Sequence, residues 1–160
     1  MTDTSHDIRL LNSLIATTID SIEGYEESAK AVESGRFAEM FRARASERRQ
    51  VAGQLRREVA RLGGNPEDDG TFLAAMHRAF VDLKAAVVSR DDKAVIAEVE
   101  RGEDHIKSKF EEALKDDKLS PETRTVIESA FQSVKAGHDQ MSALKHSMTA
   151  GKEMQHEHIQ

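Results

Sequence analysis

Apolar residues recur every three or four positions along four long stretches of this sequence, and this periodicity most constrains the fold. The stretches cover about residues 7–32, 36–62, 93–114 and 121–148. A spacing of three and four places side chains along one side of an α-helix. The sequence therefore predicts four long amphipathic helices and an all-helical chain.

The segments between these helices determine how the helices can be arranged. Ser34 and Gly35 separate the first two, and Ser120 with Pro121 begins the fourth after a short loop. Short loops join antiparallel neighbours, so each pair is expected to form a hairpin. The connection between the hairpins is long and carries an apolar pattern of its own over about residues 71–89. This order predicts a ferritin-like antiparallel four-helix bundle with an extra helix in the crossover.

We expect this bundle to occupy residues 1–148 and to be followed by a flexible polar tail over residues 149–160. The apolar pattern ends at Met148, and the segment after it is polar. One bundle of this size can bury a core without disulfide bonds, and the chain contains no cysteine.

Composition narrows the classes of partner and the location. The net charge is −6, with both signs interspersed, which argues against nucleic-acid binding through phosphate neutralisation. No apolar run approaches the length that spans a bilayer, and residues 1–7 lack the features of a signal peptide. We therefore expect a cytoplasmic protein with neither a nucleic acid nor a membrane as partner.

Three polar side chains fall within the apolar stripes, namely Thr18, Arg48 and His138. We interpret them as a buried polar cluster. Structural hydrogen bonding is the simplest explanation of such residues, and an anion or small-molecule site lined by Arg48 and His138 is an alternative. His138 could also be a metal ligand.

Arg48 carries the strongest requirement for a partner. A guanidinium buried without a carboxylate costs several kcal/mol. The sequence therefore predicts an ion pair between Arg48 and an acidic residue on another helix. The candidates are Glu23, Glu26 and Glu103.

The second helix carries an apolar frame of Phe41, Ala45, Ala52 and Leu55. This frame resembles that of the second helix of rubrerythrin-type ferritin-like proteins. The resemblance, extended by a weak repeat between the two hairpins, implies six metal-ligand positions. They hold Thr18, Arg48, Val51, Val95, His138 and Met141. Of these side chains only His138 could bind a metal, so the resemblance implies that a di-metal centre has been lost.

A second resemblance covers about residues 10–144. The chain resembles a bacterial family of ferritin-like four-helix-bundle proteins that has no agreed activity. The residues that carry the resemblance are Glu23-Gly24-Tyr25, Glu47-Arg48, the run from Arg61 to Pro66, His77, Asp82-Leu83-Lys84, the run from Glu100 to Asp104 and His138-Asp139. This resemblance implies the fold and no particular reaction.

We therefore predict a non-enzymatic structural, interaction or stress-accessory protein with a degenerate di-metal site and no catalytic residue. The alternatives are a protein that binds iron, manganese or zinc at a displaced site, and a carrier of a small ligand. A displaced site would combine His138 with Glu26, Glu100 or Glu103. We also expect a homo-oligomer, a dimer or larger, assembled through the apolar side of the crossover helix.

Overall fold

The computed structural model describes residues 4–66 and 91–158, with side chains up to Met148. The described residues form four α-helices and no strand. They are α1 (Ser5–Ala31), α2 (Gly35–Arg61), α3 (Asp92–Leu114) and α4 (Pro121–His158). The crossover helix predicted over residues 71–89, and the oligomer interface predicted on it, lie outside the described residues.

Local sequence signals explain where the helices begin and end. The Ser34 hydroxyl accepts a hydrogen bond from the Phe37 backbone at the start of α2, and the Asp91 carboxylate accepts one from Lys93 at the start of α3. Gly63 follows α2 with a φ of 84°, a conformation that glycine adopts without steric cost. The first three helices match the predicted ranges to within two residues at each end.

The fourth helix is longer than its apolar pattern. Its backbone remains helical to His158, ten residues beyond Met148. The division of the chain at residue 148 and the flexibility of the segment after it stay predictions.

Contacts near the helix ends fix the directions of α1 and α3. The Asp92 carboxylate at the start of α3 accepts hydrogen bonds from the backbone N–H groups of Glu33 and Ser34, just after α1. At the opposite end, His6 in α1 lies 2.7 Å from Asp116, which follows α3. The two helices therefore run antiparallel.

The same argument applies to α2 and α4. Arg44 donates to Gln140 over 2.6 Å, and the Thr123 hydroxyl donates to Glu58 over 2.8 Å. The C-terminal part of α2 thus lies beside the beginning of α4. Since α1 and α2 also pack together, as do α3 and α4, the order around the bundle is α1, α2, α4, α3, and all neighbours are antiparallel. One consequence is that α3 begins at the end of the bundle opposite to that where α2 finishes.

The apolar core consists of two separate clusters, one in each half of the bundle. One half contains fourteen buried residues, among them Leu11, Leu55 and Phe110. The other half contains ten, among them Phe41, Val95 and Met141. On α2 the two clusters meet at Arg48, and on α3 they meet at Glu103. The middle of the bundle is therefore polar.

Candidate functional site

An ion pair between Arg48 and Glu103 lies at the boundary between the two apolar clusters. Both side chains are excluded from solvent, with 0% and 2% of their surfaces exposed. The Nη1 atom donates to Oε1 over 2.8 Å, and Nη2 donates to Oε2 over 2.7 Å. This fork-to-fork geometry pairs both charges through two parallel hydrogen bonds, which is the strongest arrangement of an Arg–carboxylate pair.

Two further side chains complete the hydrogen bonding of this pair. The Ser21 hydroxyl accepts a hydrogen bond of 2.7 Å from Nη1 of Arg48, and the Tyr25 hydroxyl donates one of 2.6 Å to Oε1 of Glu103. We call Ser21, Tyr25, Arg48 and Glu103 the polar layer. The layer joins α1, α2 and α3, and a 3.3 Å hydrogen bond from Nη2 of Arg48 to the carbonyl of Val134 adds α4.

The surroundings of Tyr25 favour its protonated form. Burial raises the pKa of the Tyr25 hydroxyl well above its ordinary value, and the negative charge of Glu103 raises it further. The guanidinium carbon of Arg48 also lies 5.7 Å from the centre of the Tyr25 ring, within cation–π distance. Tyr25 is thereby fixed as a hydrogen-bond donor to the carboxylate.

Gly137 on α4 provides the space that the guanidinium occupies. A Cβ atom at this position would lie 2.5 Å from Nη2 of Arg48 and 3.4 Å from Oε2 of Glu103. A side chain of any size would therefore displace the ion pair. Gly137 is buried, so the guanidinium packs directly against the backbone of α4.

One polar atom of the layer has no partner among the described residues. The Nε–H of Arg48 is buried and makes no hydrogen bond. An unpaired buried donor costs free energy. The other N–H groups of this guanidinium make four hydrogen bonds, and these offset the free-energy cost of the unpaired Nε–H.

The structure places Thr18, His138 and Arg48 in three different surroundings. The Thr18 hydroxyl is buried and donates to the carbonyl of Leu14 on its own helix. His138 is partly exposed, and its ring nitrogens lie 2.7 Å from Asp104 and 3.3 Å from Asp139. None of the hydrogen bonds within the described residues joins any two of the three.

The candidate metal ligands are likewise not brought together. Glu103 belongs to the polar layer and His138 to a pair with the exposed Asp104. Glu26 forms an exposed ion pair with Arg49. In residues 4–66 and 91–148, no three His, Asp or Glu side chains are placed so that they could hold a metal ion.

The interior positions do not fit a di-metal centre. Thr18, Val51, Val95 and Met141 are all buried, and none of them supplies a carboxylate or an imidazole. Glu103 does supply a carboxylate, but Arg48 binds both of its oxygens. A di-metal centre needs several carboxylates at one level, and a fixed positive charge there would repel the cations.

Sequence reasoning missed three contributors to this site. Tyr25 was placed on the inward stripe of α1, but neither its bond to Glu103 nor the contribution of Ser21 was predicted, because both depend on the packing of other helices. Gly137 was overlooked because its role is to leave space. A glycine inside a long helix, one position before the polar His138, is the signal that could have found it.

Four long helices with antiparallel neighbours and a polar layer across the middle define an all-helical bundle protein. A family model described as a domain of unknown function (DUF2383) matches residues 7–116, which is more than half of the chain. The chain belongs to this family, and the expectation of a family without a known activity is confirmed. The match includes all four residues of the polar layer, whereas Gly137 lies beyond it.

No curated protein is similar enough in sequence to count as a match. Within the described part of the chain, none of the helices combines the length and the apolar character that crossing a bilayer requires.

Proposed function

We propose that this protein is a ferritin-like bundle in which an arginine–glutamate ion pair takes the place of a di-metal centre. In this proposal it acts as a non-enzymatic structural or interaction protein. The observation that carries the proposal is the fully buried, doubly hydrogen-bonded pair of Arg48 and Glu103 at mid-bundle.

The helix arrangement supports the ferritin-like part of the proposal. Every described helix runs antiparallel to both of its neighbours, and α2 finishes at the end of the bundle opposite to that where α3 begins. A bundle of two hairpins joined by one long crossover has this geometry. The buried Arg48 at a position where rubrerythrin-type proteins hold a metal motif agrees with the same assignment.

The chemistry of the polar layer supports a structural role. A guanidinium can neutralise a buried carboxylate as a metal ion does, but it cannot exchange ligands or change oxidation state. The ion pair within the layer is also closed to solvent, so no substrate reaches its charges in this conformation. The polar layer then serves to fix how the four helices face one another, as buried polar groups do in some helical assemblies.

Thermal unfolding with and without metals tests this proposal. A metal that binds the folded state raises the melting temperature in proportion to the logarithm of its concentration. We expect iron(II), manganese(II), zinc(II) and EDTA each to leave the melting temperature unchanged. A rise with one metal that EDTA reverses, and that Glu103→Gln abolishes, would contradict the proposal.

A further inference from the structure

Helix α2 has a charge opposite to that of the rest of the chain. Its 27 residues contain eight arginines, three glutamates and no lysine, which gives a net charge of +5. The whole chain has a net charge of −6, so the remainder has a net charge of −11. Two of these arginines are paired with carboxylates of other helices, Arg48 with Glu103 and Arg49 with Glu26. The excess positive charge of the helix still distinguishes it from the acidic remainder of the molecule.

Five of these arginines are exposed, and three of the five form a row along the helix. Arg42, Arg49 and Arg57 are spaced by seven and eight residues, about two helical turns each. The row therefore extends over about 22 Å along the helix. Glu39 is the one exposed glutamate of α2.

An open groove of about 500 Å³ lies along the same side of α2. The described residues that line it are Ser46, Arg49, Gln50, Gly53 and Arg57. Ser46 and Gly53 have the smallest side chains of this set, and Nη1 of Arg57 lies 3.5 Å from where a Cβ atom of Gly53 would be. A second helix could therefore approach closely and place side chains beside the guanidinium groups.

The arginine hydrogen bonds that join α2 to α3 and α4 come from other positions. Arg44 and Arg48 hold α2 against α4 and α3, whereas Arg49 makes an ion pair with Glu26 in which both side chains are more than 40% exposed. Such exposed pairs contribute little stability, so Glu26 can give way to another carboxylate. Arginine is also the residue best suited to bidentate recognition of carboxylates.

We infer that the outer face of α2, defined by Arg42, Arg49 and Arg57, is a docking surface for an acidic helix of another protein. This inference deepens the proposed interaction role, and it is independent of whether the bundle holds a metal. The expected partner is a helix with glutamates or aspartates on both sides of a row of small residues. Charge complementarity would make the binding of this helix specific and would raise its rate of association.

Two other occupants fit this face less well. Two copies of this chain meeting through α2 would place arginines opposite arginines, which is repulsive. A nucleic acid would extend past the row onto a molecule whose remaining charge is −11. The row also holds no aromatic side chain on which a base could stack.

Binding to a synthetic helical peptide tests the inference. The probe is a fluorescent peptide of about 21 residues with alanines on one side and glutamates flanking them, and its matched control carries glutamines instead. We expect the full-length protein to bind the glutamate peptide at least about tenfold more tightly than the glutamine peptide. We also expect this binding to weaken as salt is added.

Variants then locate the surface. The double variant Arg42→Gln/Arg57→Gln should weaken binding about tenfold or more, whereas Lys109→Gln/Lys135→Gln, with two exposed lysines on α3 and α4, should leave it unchanged. Circular dichroism would verify that both variants are folded. Equal binding of the two peptides, equal loss in both variants, or tighter binding of a DNA duplex would each overturn the inference.

Discussion

The guanidinium of Arg48 and the carboxylate of Glu103 face each other end to end in the middle of the bundle, at distances of 2.7 and 2.8 Å. They are side chains of diagonally opposite helices, α2 and α3. The pair therefore connects the two hairpins directly, across the space where the two apolar clusters would otherwise merge. Its energetics can be separated from those of the surrounding core by substitution.

Arg48→Met should destabilise the protein by about 3 kcal/mol or more, because it leaves the buried carboxylate of Glu103 without its cation. The double variant Arg48→Met/Glu103→Leu should recover most of that loss, since neither charge remains buried. Chemical denaturation of the two single variants and the double variant measures the coupling. If the Arg48→Met variant unfolds at the same denaturant concentration as the wild type or at a higher one, the ion-pair account is refuted.

Glycine substitutions test whether space at α4 is what the guanidinium requires. Gly137→Ala should destabilise the protein by about 1–3 kcal/mol, because the new Cβ would lie 2.5 Å from Nη2 of Arg48. Gly102→Ala, on an exposed part of α3 with no atom within 4 Å of the added carbon, should instead stabilise it by about 0.5–1 kcal/mol. Thermal melts that shift in the same direction for both variants would contradict this assignment.

Asp20 should make the protein less stable as the pH rises from about 4 to 6. Burial, followed by the negative charge of Glu23, raises the pKa of Asp20 from 3.8 to about 6 in the folded protein. The folded state then holds the proton more tightly than the unfolded state, so ionisation costs stability, and the cost is complete above pH 6. Asp20→Asn should reduce the dependence of the melting temperature on pH in this range. An unchanged slope would show that Asp20 does not titrate as described.

Glu58 should have the opposite effect in acid. A hydrogen bond from Arg61 lowers the pKa of Glu58 below its ordinary value of 4.5, against the opposing effect of burial, and a hydrogen bond from Thr123 adds to the lowering. The stability that Glu58 provides is therefore present above pH 4.5 and is lost as the pH falls below it. Glu58→Gln should be less stable at pH 7 and lose less on acidification. If the melting temperatures of the wild type and of Glu58→Gln fell by the same amount between pH 5 and pH 3, the result would be inconsistent with this role.

The four helices and their approximate ends could be predicted because each helix buries one stripe, and its ends carry recognisable signals. That Arg48 would be ion-paired was also predictable, since its charge falls between Phe41 and Leu55 on a buried stripe. Which carboxylate it chooses was not predictable. Glu26 is placed beside Arg49 and only Glu103 reaches the guanidinium, and this depends on the relative level of helices distant in sequence.

Helical periodicity did not identify which residue of α4 meets the ion pair. Counting residues placed His138 inside, and its side chain is 14% exposed, but it lies beside Asp104, whereas the adjacent Gly137 lies against Arg48. A one-residue difference changes the direction of a side chain by about 100°. Packing between helices therefore decides whether a residue at the edge of a stripe is buried or exposed, and a single sequence does not show this packing as a pattern.

The amount of metal per chain tests the central claim most directly. The untagged protein would be expressed in medium supplemented with iron, manganese and zinc, purified by gel filtration and analysed by mass spectrometry. Because Arg48 occupies both oxygens of Glu103, we predict fewer than about one metal ion per ten chains. One or more metal ions per chain, lost on Glu103→Gln or His138→Ala, would contradict the account of an ion pair in place of a metal centre.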